Sequence, residues 1–215
     1  MQDHPDGQPV SLPEPTPSSA ALVTGASAGI GAGIASELAA RGHNVVLVAR
    51  RKQRLDALAK DLVAKHGIRA ETIACDLSKG APRGRLPGRI ADLGLDVEIL
   101  VNNAGFATNG PFHEADAARE LEQVRVLVEA VVALTSAFTP AMVERGRGGV
   151  LNVASTAGMQ PLPYSTGYSA AKAYVLTFSE ALHHELRRQR RDRHAVAPEL
   201  AVESLGEGQH VGLRG

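Results

Sequence analysis

A doubly wound α/β sheet, its parallel strands layered between helices, is the architecture this sequence predicts, and three observations predict it. Short apolar runs alternate with longer segments of helical periodicity, β then α, from residue 20 to residue 186. The apolar runs are continuous, the pattern of strands buried on both faces. Glycine-rich and amide-rich turns follow the strand ends, where such a sheet opens a ligand crevice. The expectation is a three-layer α/β/α domain over 20–186, truncated at its C-terminal end, with a disordered Pro-rich lead-in at 1–19 and an irregular tail at 187–215.

Composition narrows the class. With 215 residues, 44% of them apolar, the chain can bury one sizeable core. Lys plus Arg (23) equals Asp plus Glu (23), so no net field recruits nucleic acid or an anionic membrane, and small partners are favoured. No uninterrupted apolar run reaches the roughly 18 residues of a membrane span, and the first residues lack the basic-then-apolar order of a signal peptide. The expected location is cytoplasmic. Cys75 is alone, and the eight His show no metal-ligand spacing, so no metal is expected.

Taken in order, Ala20–Val23 is a first strand, and Thr24-Gly-Ala-Ser-Ala-Gly-Ile-Gly31 turns the chain into a helix over Ile30–Arg41. Gly25 permits a tight turn, and Gly29 and Gly31 let backbone approach a pyrophosphate at the helix N-terminus; packing alone could also ask for these glycines. Asn44–Ala49 is a second strand. An acid at its end would bond an adenosine 2′-hydroxyl, whereas Arg50 and Arg51 stand there and suit a 2′-phosphate, or else begin the helix Lys52–Lys65 in solvent. That helix carries Leu55, Leu58, Leu62 and Val63 as a stripe expected to be buried.

Arg69–Ala74 is a third strand, with Asp76 and Leu77 at its carboxyl end; Asp76 could accept from an adenine amino group or cap a helix. Glycines and prolines at 78–94 allow only short helices. Val97–Val101 is a fourth strand running into Asn102-Asn-Ala-Gly105, whose small residues and amides suit close approach to a ligand. A long helix over Glu114–Thr139 carries Leu121, Val124, Leu127, Val128, Val131, Leu134 and Phe138 at three- and four-residue spacing, one apolar face, and should kink or break at Pro140. Val150–Ala154 is a fifth strand ending at Ser155, and a helix over Tyr168–Leu186 follows.

That last helix sets Tyr168 and Lys172 four apart, on one face one turn apart. An ammonium so placed favours the phenolate, which equips the tyrosine to trade a proton near neutral pH. Ser155 supplies a hydroxyl from the strand end opposite, and between it and Tyr168 the residues Met159, Leu162 and Tyr164 suggest an apolar pocket lining.

On these motifs the chain resembles the short-chain dehydrogenase/reductase family over residues 20–186, a Rossmann-like nucleotide-binding fold. The turn at 24–31 resembles the family's cofactor turn, with Gly25, Ser27, Gly29, Ile30 and Gly31 in contact positions; Asp76 and Leu77 match its adenine contact; Asn103, Ala104 and Gly105 match its central-strand motif; and Ser155, Tyr168 and Lys172, the first two thirteen positions apart, match its active site. The resemblance implies hydride transfer between nicotinamide and a carbonyl or alcohol. Ser155 would bond the substrate oxygen, Tyr168 would exchange its proton, and Lys172 would hold the nicotinamide ribose. Arg50 and Arg51 favour NADP(H) over NAD(H). A homo-oligomer is possible, although the C-terminal interface of such proteins is in question.

Two departures stand out. Where the family places Asn in an Asn-Val-x-Ala pattern, this chain has Leu127-Val-Glu-Ala130, so a relay of protons through that side chain would be missing or rerouted and turnover slowed. After Leu186 the family pattern gives way to Arg187-Arg-Gln-Arg-Arg-Asp-Arg-His194 and a polar tail. That basic run reads as a nucleic-acid patch, a solvated helix end, or the product of a truncated or frame-shifted gene, the last being preferred. The competing expectation is therefore a catalytically inactive nucleotide-binding or interaction protein.

Overall fold

The structure, a computed structural model, describes residues 12–192 and 197–203. Six strands, β1 (Ser19–Thr24), β2 (Asn44–Ala49), β3 (Ala70–Ala74), β4 (Asp96–Asn102), β5 (Gly149–Ser155) and β6 (Ala197–Glu203), form one sheet in the order β3-β2-β1-β4-β5-β6. Every pairing is parallel, and Leu22 of β1 sits opposite Val46 of β2 and Leu100 of β4. Because β1 lies between β2 and β4, the chain reverses its winding there, and the crevice above β1 and β4 is the natural ligand position.

The continuous apolar runs divide by strand parity into two cores. Ala20, Leu22, Val46, Val48 and Leu100 face one layer, where they meet Leu86, Ile90, Leu134, Phe138 and Met142. Ala21, Val23, Val45, Leu47 and Val101 face the other, against Ile34, Leu38, Leu55 and Leu62. The first layer is built by α4 (Leu86–Ala91), α6 (Ala130–Glu144) and α7 (Thr166–Asp192), with α3 (Gly80–Gly84) packed beside α4 and α5 (Ala117–Val124) beside α7. The second holds α1 (Gly29–Ala40) and α2 (Lys52–His66). Leu22, Leu47 and Leu100 are fully buried, each worth about 1.5–3 kcal/mol relative to exposure.

Several expectations need correction. Val63 is 45% exposed, and Ala59 takes its place in the buried stripe of α2. The long helix does not end at Pro140: α6 runs through it to Glu144. Proline removes the donor for the carbonyl four residues back, that of Ser136, and both residues are exposed, where water can serve that carbonyl. The irregularity falls earlier, in a π turn at Arg125–Glu129 between α5 and α6, closed by the Ala130 N–H donating to the Arg125 carbonyl. Leu121 and Val124, expected on the buried face, are exposed on α5. The continuous helix Ala117–Glu144 also contains a stretch long and apolar enough, by length and composition, to cross a membrane, which a search for unbroken apolar runs overlooks. In this fold α6 packs on β4, β5 and α7.

Both ends of the predicted domain extend further than expected. Within the lead-in, residues 12–18 have defined places: Leu12 packs on the α1–α2 core, and Asn44 Nδ2 donates to the carbonyls of Thr16, Pro17 and Ser19. Residues 1–11 lie outside the described part. Beyond Leu186, α7 continues to Asp192 and β6 adds to the sheet beside β5, so 187–192 and 197–203 form regular elements, while residues 193–196 lie outside the described part. Pro198 is the second residue of β6, the edge strand of the sheet among the described residues, where the loss of one N–H is tolerated. Residues 204–215 lie outside the described part.

Candidate active site

The carboxyl ends of β1 and β4 are tied together by one hydroxyl. Thr24 is buried; its Oγ1 donates to the Val101 carbonyl (3.0 Å) and accepts from the N–H of Asn103 (2.9 Å) and of Ala104 (3.1 Å). Asn103 Nδ2 returns a bond to the Thr24 carbonyl at 2.9 Å. The two turns are consequently packed backbone on backbone. Gly25 has φ +68°, and a Cβ there would stand 2.8 Å from Ala104 Cα; one on Gly31 would stand 2.6 Å from the Gly25 carbonyl oxygen. Gly31 thus serves the packing of the turn, a role the spacing alone could not separate from ligand approach.

Above this frame lies a cavity of about 630 Å³. Gly25, Ser27, Gly29, Ile30, Arg50, Arg51, Leu77, Asn103, Ala104, Gly105, Tyr168 and Lys172 all line it, so most of the residues singled out from sequence converge on one space. Helix α1 points its N-terminus at this space with Ala28 as N-cap and no side-chain cap, which leaves its first N–H groups available to an anion. Arg51 donates through Nε and Nη2 to Ser27 Oγ at 3.1 and 2.8 Å. Arg50 Nη1 lies 3.3 Å from Glu122 Oε1.

At the end of β3 the wall is Leu77, while Asp76 stands beside it and accepts at Oδ1 from the N–H (3.0 Å) and hydroxyl (2.7 Å) of Ser78. Burial pushes the Asp76 carboxyl up; the two Ser78 bonds, with Arg50 and Lys79 nearby, outweigh it and hold the carboxyl below its ordinary value. Buried Arg83 fixes this corner by donating to the Leu77 carbonyl at 2.7 Å and pairing with Glu129 at the end of the π turn.

Tyr168 and Lys172 enter from α7, both almost fully buried. Lys172 Nζ lies 5.7 Å from the centre of the Tyr168 ring and donates to the Val153 carbonyl at 2.6 Å. Ser155, two residues past Val153, is completely buried and outside the cavity lining; its Oγ accepts from the Ala157 N–H at 3.2 Å, capping the short turn Thr156–Gly158. That turn presses on α7 so closely that a Cβ on Gly158 would stand 2.6 Å from the Lys172 carbonyl carbon. Leu127 is buried among Ala157, Tyr168 and Ala171, and a Cβ on Gly105 would stand 2.7 Å from its Cδ2. Hydrocarbon therefore fills the place where the family resemblance puts an amide.

Sequence reasoning missed part of the wall: Ala28, Ala49, Phe106, Ala107, Val126 and Val153. Ala49 and Phe106 directly adjoin recognised motifs, a signal that could have found them. Val126 carries none, because the π turn decides its direction. Buried Gln123 pins the loop after β4: its Oε1 accepts from the Thr108 N–H (3.3 Å) and its Nε2 donates to Thr108 Oγ1 (2.8 Å). Of the apolar residues expected around the substrate, Leu162 does line the cavity, whereas Met159 and Tyr164 are more than 60% exposed. Among the described residues no group of three or more His, Cys, Asp or Glu could hold a metal ion.

Comparison with known proteins places this geometry. The chain is 36% identical over 169 residues to the very-long-chain 3-oxoacyl-CoA reductase of Bos taurus, covering 77% of this chain and 54% of that protein. The chain thus spans about half the length of the curated relatives it matches. Among solved structures, the bulky-bulky ketone specific alcohol dehydrogenase from Comamonas testosteroni superposes with a TM-score of 0.81 at 32% identity, covering 93% of this chain and 78% of that one. A short-chain dehydrogenase from Sphingobium yanoikuyae in complex with NADPH gives 0.79 at 35% identity, covering 86% of this chain and 70% of that one. The profile of the short chain dehydrogenase family matches residues 19–202, past Leu186 and through most of β6. This chain belongs to the short chain dehydrogenase family.

Proposed function

We propose that the protein is an NADP(H)-dependent oxidoreductase acting on carbonyl and alcohol substrates, with Tyr168 as general acid/base. The observation that carries this reading is the single cavity shared by an uncapped helix N-terminus, two arginines, and the Tyr168–Lys172 pair. The donor set fits a dinucleotide. The first N–H groups of α1 would take the pyrophosphate, Ser27 with Arg51 a 2′-phosphate, and Leu77 the adenine face. When bound, nicotinamide supplies or accepts the hydride. Lys172, anchored on the Val153 carbonyl, would hold the ribose and favour the phenolate of Tyr168. Tyr168 would deliver a proton to the substrate oxygen in reduction and remove it in oxidation. Ser155 would turn its hydroxyl from Ala157 toward that oxygen, a rotation about one bond.

The names of the relatives suggest the substrates to try first: a 3-oxoacyl thioester and a ketone bulky on both sides. A second reading, a nucleotide binder without turnover, draws support from Leu127 occupying the relay position. Two measurements separate them. A thermal shift with NADPH reports binding, and NADPH oxidation followed at 340 nm against a panel of ketones, aldehydes and 3-oxoacyl thioesters reports catalysis. Expected are stabilisation by NADPH and oxidation that Tyr168→Phe reduces by at least about 100-fold. Stabilisation without oxidation of any substrate in the panel would favour the binder, and no stabilisation would remove both readings.

A further inference from the structure

Arg50 and Arg51 leave β2 side by side and are held by different partners. Arg51 is bonded to Ser27 of the glycine turn. Arg50 reaches the opposite way, to Glu122 on α5, at 3.3 Å between Nη1 and Oε1. The other oxygen of Glu122 accepts from Arg119 Nη1 at 2.6 Å, and the Arg119 guanidinium lies 3.8 Å from the centre of the Phe106 ring. Arg50 and Phe106 both line the cavity. A chain of cation, carboxylate, cation and ring thus links the end of β2 to the loop after β4. Its members are unequally held: the Glu122 side chain is 24% exposed and grips two arginines, whereas the Arg50 side chain is 60% exposed and has room to swing.

Resting on the NADP(H) reading above, we infer that Glu122 sets how strongly the protein distinguishes a 2′-phosphorylated adenosine from a plain one, by competing with the phosphate for Arg50. Ser27 and Arg51 form a standing half of the phosphate site, since they are already bonded to each other on the cavity wall. Arg50 is the half that must be recruited. While it pairs with Glu122 its charge is partly neutralised, and the carboxylate itself adds a repulsion that a phosphate dianion feels and a 2′-hydroxyl does not. Glu122 touches no part of the nucleotide in this scheme; it is a positioning residue acting through Arg50, and Arg119 stacked on Phe106 keeps it in place.

The experiment measures binding of 2′,5′-ADP and of 5′-AMP to the full chain by calorimetry, for the wild type, Glu122→Gln, Arg50→Gln and the double variant. Glu122→Gln should bind 2′,5′-ADP roughly three- to ten-fold more tightly, with 5′-AMP unchanged within about two-fold, and raising the salt should shrink the gain. In the Arg50→Gln background the same substitution should give a clearly smaller gain, because the competition has lost its object. Equal changes for both ligands, or none, overturn the inference and make Glu122 only a support for α5. So does an undiminished gain without Arg50. If the wild type binds neither ligand, the nucleotide reading fails first and the inference falls with it, a result distinct from the others.

Discussion

Leu127 is the residue at which the packing and the proposed proton relay make opposite demands. It is buried among Ala157, Tyr168 and Ala171 and fills the space beside Gly105, so it stabilises the packing of the α7 segment that carries the tyrosine. It can pass no proton. Leu127→Asn should lower stability by about 2–3 kcal/mol, since a buried amide replaces hydrocarbon, and still raise turnover with NADPH several-fold. A thermal melt and a steady-state rate check the two halves, and an unchanged rate would clear Leu127 of limiting catalysis. The motif residues on the cavity wall were legible because each is demanded locally: a tight turn, a strand end, a spacing of four. The partners of Arg50 and Arg51 were not, because Glu122 lies 72 positions from Arg50 and nothing in either segment announces the other.

At the level of elements, periodicity located the main helices and misjudged the stretch that holds α5 and α6. The π turn at Arg125–Glu129 inserts part of a turn, so apolar residues before it, Leu121 and Val124, are rotated off the face that Leu134 and Phe138 bury. A single helical wheel drawn through the whole stretch cannot describe both halves. Proline was a weaker obstacle than expected, since Ser136 and Pro140 both look outward. Pro140→Ala should therefore restore a hydrogen bond and raise stability by about 1–3 kcal/mol, a gain of several degrees in the melting temperature for a domain of this size. A fall in melting temperature would show that the proline's bend is needed. In the glycine turn the opposite holds: Gly31→Ala would drive a methyl into the Gly25 carbonyl, and should weaken NADPH binding at least ten-fold by calorimetry while costing stability. NADPH affinity equal to the wild type's would sink that account.

The whole molecule separates its two sheet edges by task. The carboxyl edge gathers the candidate site; the amino edge is stapled by ions, with Arg147 on Glu98 at 2.8 Å and Arg145 on Asp96 at 3.3 Å. Buried His43 lies at that edge, and its imidazole is held below its ordinary value by burial, against an upward pull from Glu98 and Glu14. The sign follows directly. An unfolded chain takes up the proton near pH 6.5, the folded one only at lower pH, so stability should fall as the pH drops below about 6.5. Denaturant melts between pH 7.5 and 5.5 test this, and His43→Gln should flatten that part of the curve; an identical slope in the variant would assign it elsewhere. The layered architecture was legible because continuous apolar strands have few other places to go. The sixth strand was not, because a proline in its second position and polar neighbours hide an edge strand from any pattern that expects burial.

The ammonium of Lys172 rests on the carbonyl of Val153, a main-chain group, whereas the turns of β1 and β4 depend on the side-chain hydroxyl of Thr24. A carbonyl oxygen belongs to every residue, so no single codon change at position 153 can delete the group that steadies the lysine. Inherited variation at position 153 is thus free to reshape the cavity wall that Val153 lines, while the contact under the Lys172 ammonium passes unchanged from one variant to the next.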